Sequence, residues 1–148
     1  MIKYLYKDVD ARVSTGLLLL RLVAGVAFML HGWGKIQNPM GWMGPNASVP
    51  GIFQALAAIS EFGGGLAWVL GLLTPLACLG LLATMAVAAF THISKGDPFV
   101  GGYELATVYF AIAFLLLMAG PGRFSLDSIL FGSRNTAAAD GQTRLAVN

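Results

Sequence analysis

Arg21 and Glu61 are ionisable residues placed inside long apolar runs, Gly16–Leu30 and Ile52–Leu73. A lone charge at the centre of a bilayer costs at least ~2.5–3.5 kcal/mol, so such residues turn toward a protein interior or a wet cavity and find partners there. A buried guanidinium polarises an oxygen, and a buried carboxylate or imidazole passes protons. Four further residues of this type, His31, Lys35, His92 and Glu104, stand near the ends of apolar segments. Together the six are the candidates for chemistry: Arg21 and Glu61 as catalytic groups, and His31, Lys35, His92 and Glu104 as a binding layer.

Helical spacing organises them. Leu17, Arg21, Ala24, Phe28, His31 and Lys35 follow at intervals of 4, 3, 4, 3 and 4 residues, which is one helix face. Ala57, Glu61, Gly64, Trp68 and Gly71 repeat the pattern, placing Glu61 among small residues that permit close helix approach. At ~1.5 Å rise per residue, Arg21 lies roughly 10 Å inside its span and Glu61 roughly 15 Å inside its own. This predicts an Arg21–Glu61 pair at mid-membrane, with a second polar layer of His31, Lys35, His92 and Glu104 near the outer mouth. Two plainer readings stand beside these. The pair could serve only to fix helix register, and the outer layer could be interfacial side chains reaching water.

The elements that position these residues follow from composition. The chain has 148 residues, 57% hydrophobic and 11% charged, with a mean hydropathy of +0.73. Soluble domains carry about 25% charged residues, so an integral membrane protein is expected. Four spans are predicted: Ser14–Gly34, Gly51–Leu73, Pro75–Ile93 and Tyr103–Ala119. Each is near the ~20 residues that cross a bilayer. Thr74-Pro75 makes a tight turn, and Gly120-Pro121-Gly122 stops the last span. Short connections imply an all-α, up-down-up-down four-helix bundle. The divisions are 1–13, a cytoplasmic N-terminal segment, 14–131, the membrane domain, and 132–148, a flexible cytoplasmic tail.

Lys3, Lys7, Arg12, Arg123, Arg134 and Arg144 fall on one side of the spans and Lys35 and Lys95 on the other. By the positive-inside rule both termini are cytoplasmic, in a cell inner membrane. Arg21 interrupts what resembles a signal-peptide core, so the first span is read as uncleaved. Trp33, Trp42, Phe99 and Tyr103 form a candidate outer aromatic belt, and the Gly/Pro-rich segment 37–46 lies on the same face without regular structure. The single cysteine, Cys78, excludes an intramolecular disulfide and a CxxC pair and reads as a packing residue. No basic, aromatic-interleaved stripe suggests nucleic acid. His31 and His92 at matched depth could bind a haem or a metal, as histidine pairs on facing helices do in bundles, but without a companion motif they are a weak signal for either.

The motifs in order are Arg21-x-x-x-Gly25, His31-Gly32-x-x-Lys35, Glu61-x-x-Gly64-Gly65, Gly71-Leu72-Leu73-Thr74, Gly101-Gly102-Tyr103-Glu104 and Gly120-Pro121-Gly122-Arg123-Phe124-Ser125-Leu126-Asp127. Together they resemble the DoxX family of small bacterial and archaeal four-span proteins, over about Ser14 to Leu130. The resemblance implies a subunit of, or accessory to, a membrane oxidoreductase system, with quinone as the cofactor. Arg21 would then polarise a quinone carbonyl while Glu61 or a histidine passes protons. The chain carries no flavin, dinucleotide or iron–sulfur motif, so electrons would come from a partner subunit. Two other readings compete. One is a non-catalytic anchor that docks an enzyme, and the other is a small transporter built as a homo-oligomer.

Overall fold

In the computed structural model, residues 10–132 are described, and all regular structure among them is helical. Helix α1 spans Ala11–Gln37, α2 Gly51–Leu70, α3 Thr74–Ser94 and α4 Glu104–Ala119. A kinked segment, Phe99–Tyr103, leads into α4, and a short turn of helix, Ser128–Gly132, follows it. The four spans that the composition predicts are present, each long and apolar enough to cross a membrane. Their ends move by a few residues: α1 is longer at both ends, and α2 stops at Leu70. The predicted N-terminal segment and tail lie largely outside the described residues.

Sequential helices pack side by side, α1 on α2, α2 on α3 and α3 on α4, whereas α1 and α4 approach each other far less. Two ends can be distinguished. The turn end holds the α2–α3 connection and the segment after α4, and the loop end holds residues 38–50 and 95–103. Large apolar side chains such as Leu19, Leu30, Val87 and Phe90 point outward. In water they would form an apolar surface far larger than a soluble monomer carries, and in a bilayer they meet acyl chains.

Glycine sets how α1 and α2 mesh. A Cβ on Gly25 would lie 2.7 Å from the Gly65 carbonyl oxygen, and one on Gly65 would lie 2.6 Å from that of Gly25. A Cβ on Gly32 would lie 2.6 Å from the backbone nitrogen of Phe62. The two helices therefore touch backbone to backbone, the small-residue mode of membrane packing. The Gly63-Gly64-Gly65 run does not break α2. Gly65 serves the α1 contact, while Gly64 receives Leu81 of α3.

Candidate functional site

The α1–α2 register decides which charges meet. Moving outward from the Gly32–Phe62 contact, α1 reaches Lys35 at the level of Glu61. Moving the other way from Gly25–Gly65, α1 reaches Arg21 at the end of α2. The expected Arg21–Glu61 pair therefore does not form. Glu61 lies seven residues before Trp68, roughly 10 Å along the axis, and Arg21 binds at Trp68.

Arg21 is 1% exposed. Its Nε donates to the Trp68 carbonyl at 2.8 Å. Nη1 donates to the carbonyls of Pro121 at 2.5 Å and Phe124 at 3.0 Å, and Nη2 reaches that of Val69 at 3.5 Å. The last carbonyls of a helix lack intrahelical donors and carry the negative end of its dipole. Arg21 thus caps α2 and ties the segment after α4 to it. Gly71 closes the same helix at φ +64, where an added Cβ would collide with the Arg21 guanidinium and with Ser125. Asp127 does the complementary work on α3. Its carboxylate accepts from the backbone N–H groups of Leu73 at 2.8 Å and Thr74 at 2.9 Å, and its own N–H donates to Gly71. Leu73 adopts φ +52, a left-handed conformation costly for a residue with a Cβ, and this hydrogen bond helps hold it. Asp127 ends the last of the sequence motifs, but nothing local to it signals this role.

The other polar residues gather at the loop end. Lys35 Nζ donates to both carboxylate oxygens of Glu61, at 2.7 Å each. The Glu61 side chain is 5% exposed, against 26% for Lys35. The ammonium also sits 4.5 Å from the ring centroid of Trp42. Trp42 is thus turned inward over the ion pair rather than outward into an aromatic belt, and its indole N–H donates to the Gln54 carbonyl. The buried Gln54 side chain donates to Val49 and accepts from the Met43 N–H, pinning the 38–50 loop from within.

A cavity of about 220 Å³ opens beside this pair, lined by residues of all four helices where α1 and α4 stand apart. Its apolar walls include Phe28, Met85, Ala88 and Ala106, and its polar residues are His31, Lys35, Glu61, His92 and Tyr109. Tyr109 crosses the gap, its ring centroid 4.6 Å from that of Phe28 and 6.4 Å from that of His31. The predicted binding layer therefore assembles in part. His31, Lys35 and His92 line one cavity, and Glu61 joins them there. Glu104 does not line it; it stands exposed at the first position of α4. Tyr109 is not among the residues singled out from the sequence, although no other residue of Val108–Met118 carries a nitrogen- or oxygen-bearing side chain.

The arrangement sets proton-bearing groups around an apolar pocket inside a four-span bundle. Comparison with known proteins agrees with the motifs: the DoxX family profile matches residues 16–93. The chain belongs to the DoxX family. Among DoxX-like relatives it is similar to inner membrane protein YqjF of Escherichia coli (strain K12), at 34% identity over 125 residues, covering 79% of this chain and 93% of that protein. It is also similar to a Bacillus subtilis (strain 168) protein named "Putative oxidoreductase CatD", at 28% identity over 123 residues, covering 81% of this chain and 91% of that protein. No solved structure matches the chain significantly.

Proposed function

We propose that this DoxX-family membrane protein is a subunit of, or accessory to, a membrane oxidoreductase system, and that its α1–α4 cavity receives the ring of a quinone. The observation that carries this reading is the cavity itself, in which a Lys35–Glu61 pair with a buried carboxylate, two histidines and a tyrosine stand around an apolar floor. The oxidoreductase name of the Bacillus relative and the family resemblance point the same way. The inner membrane location named for the Escherichia coli relative and the lysine and arginine bias support an inner membrane protein with both termini cytoplasmic. Residues 1–13 and 132–148 would then flank the bundle on that side.

The residues fit such a ring in size and polarity. Sites that enclose a whole drug-sized ligand measure ~300–1,000 Å³, so about 220 Å³ holds one substituted ring, and an isoprenoid tail leaves through the α1–α4 gap into lipid. When bound, the quinone supplies two-electron, two-proton chemistry, with electrons delivered by a partner. The chain's own residues handle oxygen and protons. The Lys35 ammonium and the Tyr109 hydroxyl are the donors for a ring oxygen, and Glu61, His31 and His92 are the groups that exchange protons with it.

Titration of purified protein in nanodiscs with a short-chain quinone tests this. Saturable binding is expected in the wild type. Glu61→Gln or Tyr109→Phe should weaken it by about tenfold or more, the effect of losing one well-placed polar contact to a buried ligand. Glu104→Gln should bind as the wild type does. Absent binding, or equal binding by all four proteins, would overturn the reading and favour the non-catalytic anchor.

A further inference from the structure

At the loop end His92 Nδ1 lies 2.7 Å from Asp97 Oδ2, with side chains 43% and 40% exposed. The connection between them is short and fully engaged. The Lys95 N–H donates to the carbonyls of Thr91 and His92, that of Gly96 to Ile93, and that of Asp97 to His92 at 3.1 Å. Gly96 makes the reversal at φ +76. From the other side the chain at Gly102 closes on Asp97, where an added Cβ would lie 3.0 Å from the Asp97 Cβ. Asp97 is thus joined to His92 through backbone and side chain and confined by the segment that leads into α4. His92 lines the cavity and Asp97 does not. The carboxylate therefore engages Nδ1 and leaves Nε2 as the ring nitrogen free for a partner in the cavity.

We propose that Asp97 is a positioning residue that keeps the neutral His92 proton on Nδ1, making Nε2 the nitrogen that exchanges protons with the cavity and the His92–Asp97 dyad its port to water at the loop end. The second nitrogen's bond fixes which nitrogen of a histidine is basic. As the partner's electrons reduce the ring, the imidazolium gives its Nε2 proton to a ring oxygen, which leaves the neutral imidazole with its proton on Nδ1 beside the Asp97 carboxylate, and the half-exposed ring takes its next proton from water. The other charged or titratable groups around His92 are Lys95, exposed at the end of α3, and, lining the cavity, His31 and Lys35 of α1, Glu61 of α2 and Tyr109 of α4. Lys35 and Glu61 offset each other, so Asp97 is the carboxylate in direct contact with the imidazole. The inference rests on the quinone reading for its substrate, but the tautomer it requires does not.

The chain contains two histidines, so nitrogen-15 histidine spectra of the whole protein in nanodiscs resolve the question, with His31→Gln giving the assignment. At alkaline pH, His92 is expected mainly as the Nδ1–H tautomer, the minor form of imidazole in water. Asp97→Ala should shift the tautomer ratio by about tenfold toward Nε2–H, whereas Asp97→Asn, which retains an acceptor oxygen, should keep most of it. Addition of a short-chain quinol should move the His92 Nε2 resonance. An Nε2–H tautomer in the wild type, or a ratio unchanged in a folded Asp97→Ala protein, overturns the proposal. A fixed Nδ1–H tautomer that ignores quinol supports the positioning role and counts against the quinone reading.

Discussion

Arg21→Met is expected to destabilise the bundle by about 3–5 kcal/mol, the range for removing one member of a buried charged network. The substitution strands the carbonyls of Trp68, Pro121 and Phe124 and leaves the fully buried Asp127 carboxylate without the positive charge across the turn. Arg21→Lys should recover only part of the loss. An ammonium presents a point charge, not the planar fork that reaches α2 and the segment after α4 together. Unfolding in mild detergent by added denaturing detergent, followed by circular dichroism, measures both. A purely catalytic Arg21 would give a variant that is inactive and as stable as the wild type, so undiminished stability contradicts the structural assignment.

The second large effect concerns the ion pair. Lys35→Met leaves a Glu61 carboxylate that is 5% exposed with no countercharge, and should cost about 3–5 kcal/mol. Replacing both residues, Lys35→Met with Glu61→Met, removes the buried charge altogether and should restore most of the lost stability, since apolar replacements of buried pairs are often near neutral. The double-mutant cycle is thus expected to show strong coupling. It also separates structure from function, because the restored double variant should still fail to bind a quinone. Additive losses would show that the two side chains act independently.

Much of this arrangement was legible in the sequence. The heptad-like face of the first span correctly groups Leu17, Arg21, Ala24 and Phe28, all buried, and the four spans follow from apolar length. The vertical register was not legible. Counting from predicted helix ends put Arg21 and Glu61 at one height, but the ends do not set that height. The backbone contacts of Gly25 with Gly65 and of Gly32 with Phe62 do, and they slide Glu61 to Lys35. Asp127 caps a helix 53 residues away in sequence, a contact without local signature. Trp42 fits the composition of an interfacial belt, and only the loop's attachment to Gln54 turns it inward over Lys35. The sequence showed which residues were expensive to bury, and packing decided their partners.

On the proposed reading the chemistry belongs to the loop-end cavity, and the guanidinium near the other end holds helix ends together. Photolabelling in nanodiscs with a photoreactive short-chain quinone, mapped by mass spectrometry, tests this most directly. Labels are predicted on the cavity-lining stretches Phe28–Lys35 and Leu105–Tyr109, displaced by excess unlabelled quinone and lost in the Lys35→Met, Glu61→Met double variant. Displaceable labels around Leu17–Arg21 and Pro121–Phe124, with the cavity stretches unmarked, would contradict it.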